Sequence, residues 1–440
     1  MTMRTWVRRL FARSAGSPIR KTQRRKGLAI ETLEDRTLLD ARLFYPAVAD
    51  MSLTLRLVAD QLQVVDSTNP STPLVSEPLA NITDGVLIEG SGFDVSLTID
   101  STVRNVSGGI VFNGGSGFNT LVLDDGPTDR VTVAPTGPQN GAITVRGIPL
   151  TYTELEPYRF NLSRFSDAAN VVIQGNPVTP NDLSVTRHAP GLVRVTAGSG
   201  ESFVFADPAQ SLTVQMGGLW TNTLTLGAPG AALVLPGALT IGGGGLDDRV
   251  VVAGALTVSH GELRIETESG NSEISVDAPL GVLDGGLTID ERPGLGQNVR
   301  FNAPVTVNGD VAILGTLLDD QVALTGGLTV AGSLLIDGAT GDGTVTLGPL
   351  TVGIGGLTID GHLGGVQTVR LNGPSTVNGG VTILGGLLDD QVVVAGGLTV
   401  TQGDLSIIGA DTVVVGSTGR SEVTVDGPLT VAHGGLTIDD

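Results

Sequence analysis

Apolar-x-apolar tripeptides recur along the second half of the chain at a nearly fixed interval. One series opens at Val250, Ile274, Val299, Val322, Val345, Val369 and Val392, in steps of 24, 25, 23, 23, 24 and 23 residues. Each interval holds three such tripeptides. In the last regular interval they are Val392-Val393-Val394, Leu398-Thr399-Val400 and Leu405-Ser406-Ile407. Alternation with period two makes each a short strand with two side chains on one face and one on the other. Gly, Asp and Pro between them mark turns. A strand of this length cannot stand alone. Three per coil, each paired with its counterpart one coil away, would build three parallel sheets around one core. The pattern therefore predicts an all-β fold, a parallel β-helix with three short strands per coil and coils of about 23–24 residues.

A longer repeat overlies the short one. Gly285–Val330 aligns without gaps to Gly355–Val400, an offset of 355 − 285 = 70 residues that spans three coils. The GGLTID block of both copies returns at Gly434–Asp439. Residues 246–440 are thus the regular β-helix. Residues 82–245 carry strands at Val86–Ile88, Val95–Ile99, Ile110–Phe112, Leu121–Leu123, Val131–Val133 and Ile143–Val145, either irregular coils of the same solenoid or a separate β domain. Residues 42–81 read as a hairpin, Leu53–Val58 against Gln61–Val65 around Ala59-Asp60, followed by a loop at Pro70, Pro73 and Pro78.

Composition supports a stacked, elongated core. Aromatic residues make up 3% of the chain, whereas Gly occurs 64 times. Layers of Val, Leu and Ile must then supply the buried area that aromatic rings usually supply. The net charge of −20 is unevenly spread. Residues 1–42 hold 11 Lys or Arg and 4 Asp or Glu, a charge of +7. The remainder holds 25 − 11 = 14 basic and 45 − 4 = 41 acidic residues, a charge of −27. Such a body repels nucleic acid and anionic membranes. The absence of cysteine excludes disulfides and thiolate chemistry. No apolar run is long enough for a transmembrane helix.

Residues 1–41 form a basic segment, disordered or helical, that includes Arg20-Lys21, Arg24-Arg25-Lys26 and then Leu28 to Ala41. The string RRKGLAIETLEDRTLLDA resembles the N-terminal LEPR/LEDR-type segment of large surface proteins from planctomycete bacteria. That resemblance implies export to the cell surface or the medium. Asp40 stands where the family usually has Ser, which leaves cleavage after Ala41 open. The coils in turn resemble those of pectate-lyase-like proteins and exported adhesins.

Candidate chemistry is sparse. Asp247-Asp248, Asp319-Asp320 and Asp389-Asp390 occupy equivalent corners, and Asp124-Asp125 is a further pair. Paired carboxylates can ligate calcium, which takes six to eight oxygens. They can also serve as turn residues that bond the backbone. Their repetition speaks against catalysis, which needs one pair. Gly114–Val122 resembles a single calcium-binding RTX nonapeptide, with Asn119 in place of Asp. Thr257, Thr306, Thr329, Thr351, Thr376, Thr399 and Thr430 form an outward row broken at Gly281, and Thr288, Thr358, Thr382 and Thr437 form another. Such rows suit solubility and strand propensity, or, as in flat ice-binding β-helices, an ordered surface. His188, His260, His362 and His433 have no metal-ligand spacing.

These features lead to an exported structural or adhesive scaffold and not an enzyme, with no cofactor other than calcium. The expected partners are cell-surface polysaccharide or other surface proteins, with stacking of coil ends onto one another. Two alternatives remain: a carbohydrate-active β-helix enzyme, which would need Asp, Arg and aromatic residues clustered on one face, and a calcium-stiffened module.

Overall fold

The computed structural model describes residues 42–123, 130–137, 139–155, 161–162, 170–198, 202–291, 294–316, 318–338, 341–361, 366–386, 389–409 and 421–439. The basic segment 1–41, Asp124-Asp125 and His362 lie outside the described residues. The described chain is a parallel β-solenoid of about 12 turns. Its single short helix among the described residues is a 3₁₀ turn at Leu79–Asn81.

From Leu233 onward each coil contributes a strand to each of three sheets. In one coil these are Asp320–Leu324 in the first sheet, Leu328–Val330 in the second and Ser333–Asp337 in the third. Each pairs in parallel with its counterpart in the next coil, as Val322↔Val345, Leu328↔Leu350 and Ile336↔Ile359. Two side chains of each tripeptide point inward and stack coil upon coil. Val322, Val345, Val369 and Val392 are all 5% exposed or less. At the corner between the first and second sheets the chain passes so close to the coil above that small residues are required. A Cβ on Gly326 would meet the Ala303 backbone at 2.4 Å, and one on Gly373 would meet the Pro349 backbone at 2.3 Å.

Among the described residues before Leu233 no strand belongs to the second sheet, and the first and third sheets gain layers by antiparallel meanders. Between Ile110–Asn113 and Ser211–Gln215, the third sheet inserts four strands: Ile148–Thr153, Asn140–Val145, Arg130–Gly137 and Asn170–Gln174. Between Thr120–Leu123 and Asn222–Leu226, the first sheet also inserts four: Asn161–Leu162, Ser202–Ala206, Leu192–Ala197 and Asp182–Ala189. The equal number keeps the two sheets level, and the regular coils resume with both in step. The strands of 86–226 therefore lie in the same sheets and the same hydrophobic cluster as the later coils.

The N-terminal hairpin forms as expected, Met51–Val58 against Gln61–Asp66, with Ala59 and Asp60 both at positive φ (48° and 63°) as a tight twisted turn requires. The loop expected at Pro70, Pro73 and Pro78 is instead an edge strand, Asn69–Pro78, antiparallel to the hairpin. The prolines read as breakers but are tolerated there because an edge strand need not donate outward, and they protect that edge from further pairing. In the last described coil the usual inward positions are open, with Leu436 and Ile438 at 52% and 45% exposure against 0% and 1% for Leu405 and Ile407.

Candidate functional site

The polar residues concentrate at one corner, where each third-sheet strand turns into the first sheet of the next coil. Here the two members of each Asp pair part company. Asp247, Asp319 and Asp389 are exposed, and Asp248, Asp320 and Asp390 are 2%, 4% and 4% exposed.

The buried members belong to a column that follows the sheet register: Asn222↔Asp248, then Ser272↔Gln297↔Asp320↔Gly343↔Gln367. Their carboxylates tie the corner together. Asp248 accepts from the Gly244 N–H at 2.6 Å and from Asn222 Nδ2 at 2.9 Å. Asp320 accepts from the Thr316 N–H and hydroxyl at 3.0 and 2.8 Å and from the Gln297 N–H of the preceding coil at 3.1 Å. Asp390 accepts from the Gln367 N–H at 2.9 Å. The Gly244 and Thr316 N–H groups belong to the turn and the Gln297 and Gln367 N–H groups to the starts of their strands, where a buried donor needs an acceptor. Burial pushes all three carboxyls above the ordinary range, and the hydrogen bonds pull them back.

Asp247 and Asp319 do the same for the outer rim. Asp247 accepts the Asn271 N–H at 2.7 Å, and Asp319 accepts the Asp342 N–H at 3.2 Å. Asp342, which the pair pattern does not include, accepts the Val366 N–H at 2.8 Å. Each outer carboxylate reaches one coil up the stack.

In this geometry the Asp residues of the pairs act as hydrogen-bond acceptors within the corner. One carboxylate of each pair is buried and the other exposed, and Asp248, Asp320, Asp247 and Asp319 each accept at least one backbone N–H. Among the described residues no three His, Cys, Asp or Glu side chains gather into a group able to hold a metal ion. The RTX-like stretch belongs to the same corner. Asn119 is fully buried, accepts the Val95 N–H at 3.2 Å and donates to the Gly117 carbonyl at 2.7 Å. A Cβ on Gly117 would meet the Phe93 carbonyl oxygen at 1.9 Å, which accounts for the glycine.

The outward threonines stand in register. Thr306, Thr329, Thr351, Thr376, Thr399 and Thr430 are partners in consecutive coils of the second sheet, and Gly281 interrupts the row where expected. The other set, Thr288, Thr358, Thr382 and Thr437, is interleaved with Ala312, Leu335 and Ser406 on the third sheet. Of the described histidines, His260 pairs with Asp284 at 3.2 Å, and His188 lies against Arg194.

One feature escaped the strand pattern. The outer edge of the same corner carries exposed apolar side chains in several coils, Leu219, Trp220, Leu246, Leu295, Leu318 and Val366, with Gly270 and Gly341 at the corresponding place in two others. Each lies one to three residues before its buried column residue. The signal was present in the Leu-Asp-Asp and Leu-Gly-Gln strings, but a turn position is not read for hydrophobicity when periodicity is sought inside strands.

No family model, no curated protein and no solved structure matches the chain. Among the described residues no helix is long and apolar enough to cross a membrane.

Proposed function

We propose that this chain is an exported scaffold that displays repeated side faces at a bacterial cell surface and binds cell-surface polysaccharide or another surface protein through them. The observation that carries this reading is the unbroken register of outward groups. Thr306 to Thr430 present one hydroxyl per coil, about 4.8 Å apart, over six consecutive coils. The leucine-bearing corner adds a second, interrupted row, with Gly270 and Gly341 between its apolar residues. A surface of this kind offers many weak, equivalent contacts, which suits multivalent attachment. The basic leader and its likeness to planctomycete export segments support the location.

The carbohydrate-active alternative has less behind it. Arg300 and Arg370 share an outer column of the first sheet but are three coils apart, roughly 14 Å at the usual strand spacing. Each bonds a neighbouring amide, Arg300 to Asn298 at 2.9 Å and Arg370 to Gln391 at 2.9 Å.

Fractionation of the source cells with an antibody to the solenoid, followed by protease shaving of intact cells, tests the proposal. Signal at the surface or in the medium, with residues 1–41 removed, is the expected result. Signal confined to the cytoplasm with residues 1–41 intact would overturn it.

A further inference from the structure

Where the third-sheet strand ends and the corner begins, the coils from residue 315 on place glycine. Register along that sheet aligns Gly242, Glu266, Asp290, Leu314, Asp337, Asp360, Leu384 and Ile408. The residues that follow them are Gly243, Thr267, Glu291, Gly315, Gly338, Gly361, Gly385 and Gly409. The glycine has a reason. A Cβ on Gly243, Gly315 or Gly385 would come within 2.4, 2.2 or 2.0 Å of the buried carboxylate of Asp248, Asp320 or Asp390. Two successive coils depart in both places: one carries Thr267 and Ser272, and the next carries Glu291 in the glycine place and Gln297 in the aspartate place, the larger and more polar pair.

Both side chains are sealed in, Glu291 at 1% and Gln297 at 3% exposure. Neither oxygen of Glu291 has a hydrogen-bond partner, and neither do the oxygen and nitrogen of the Gln297 amide. Gln297 is near enough to favour the ionised form, yet no aligned hydrogen bond joins the two as they stand. Among the described residues the charged groups facing Glu291 are all acidic: Asp320 and Asp248 from the first sheet and Asp290 beside it on its own strand. An ionised carboxylate with no donor and three acidic neighbours is the costliest occupant of this gap. A carboxylic acid is complementary to it, because the acid O–H can donate to the amide oxygen while the amide N–H donates to the acid carbonyl. That exchange would satisfy the facing atoms of both groups.

We propose that Glu291 is held in this corner as the neutral acid, paired face to face with the Gln297 amide, and that ionisation breaks the pair and loosens the coil stack at this point. The device is a proton-dependent latch, placed where a substitution in the repeat has replaced glycine. Burial, and then the neighbouring carboxylates, push the Glu291 carboxyl up to about 8. Because the native state holds the proton over a range where the unfolded chain has lost it, the stabilisation is complete below the ordinary glutamate range and falls as pH rises toward about 8.

The test is unfolding of the full chain across pH 5–9 for the wild type, Glu291→Gln and Glu291→Gly. The wild-type folding constant is expected to drop about tenfold per pH unit within that window relative to Glu291→Gln, and the difference to level off above it. Infrared spectra supply a second reading on the unaltered protein: a protonated carboxylic acid band present at pH 7 and lost at high pH. This reading decides the matter should either variant fail to fold. Parallel pH profiles for wild type and Glu291→Gln, or an ionised Glu291 at pH 7, would overturn the proposal. So would stabilisation of the wild type but not Glu291→Gln by sodium or calcium at pH 8, which would assign the gap to a cation.

Discussion

The two halves of the solenoid solve one problem with different materials. Before Leu233 the core is filled by large rings, and Phe112, Tyr152, Phe203 and Phe205 are all almost fully buried. After it, Phe301 is the one comparable residue in the buried set, and Val, Leu and Ile fill the rest. The early corner column is built from Asn119, Asn181 and Asn222, amides that both donate and accept. Asn181 alone donates to the Asn176, Thr179 and Met216 carbonyls and to Asn222. The later column uses mainly Asp and Gln, with Ser272 and Gly343 between them. Where meanders make each layer different, large side chains and two-way amides fit individual spaces. Where coils repeat, every layer must accept the same small set, and a carboxylate suits a corner whose backbone offers only donors.

Core truncation should separate the halves most strongly. Phe205→Ala removes a ring buried at 1% exposure in the meander region and is expected to cost about 3–5 kcal/mol. Ile383→Val removes one methylene from a fully buried regular layer and is expected to cost about 0.5–1.5 kcal/mol. Urea midpoints at unchanged slope would measure both. Equal costs would mean that the regular coils are packed as specifically as the meanders.

The corner columns give the next effect. Asp320→Ala strands the Thr316 N–H, the Thr316 hydroxyl and the Gln297 N–H, and unmet buried donors cost roughly 1–3 kcal/mol each. Asp319→Ala removes one acceptor from an exposed rim and should cost no more than about 1 kcal/mol. The pH dependence has a definite sign. The Asp320 carboxyl is raised by burial, so the stability it confers is complete at low pH and declines as pH climbs through its native range. Asp310, exposed and lowered by its bonds to the Ser333 N–H and hydroxyl, works in the opposite sense: its contribution is present at neutral pH and fades on acidification. Melting curves of Asp320→Asn and Asp310→Asn against pH would therefore diverge from the wild type in opposite directions.

The same contrast explains what could be read from the chain before its fold was known. The regular coils were legible to the residue, because Val250, Ile274 and their successors repeat a strand pattern that only stacking can bury. The meanders were not. Their strands were visible, but nothing in Ile143–Val145 says that its neighbours are antiparallel. The available cue was the turn Arg146-Gly147, with both residues at positive φ (53° and 75°), a signature of a tight hairpin. The Asp pairs were found and their turn chemistry anticipated. The division of labour within each pair was not, since adjacent residues look equivalent until a corner sends one inward. Glu291 was invisible for a related reason: its anomaly is a matter of register, and register across a turn of variable length appears only when the coils are stacked.

The smallest predicted effect concerns the threonine row, and it is informative because it is small. Thr351 is exposed, and its coil partners Thr329 and Thr376 flank it on the second sheet. If the row exists for strand propensity and modest cross-strand contact, Thr351→Ala should lower stability by about 0.2–1 kcal/mol, and Thr351→Val should be nearly neutral because it keeps the β-branch. If the hydroxyls themselves are the reason for the row, the order changes where it matters: Thr351→Val would leave the melting temperature unchanged and still weaken attachment to the surface partner. Measuring stability and attachment on the same pair of variants separates a row kept for folding from one kept for contact. The second outcome would locate the binding face on the second sheet and not on the leucine-bearing corner.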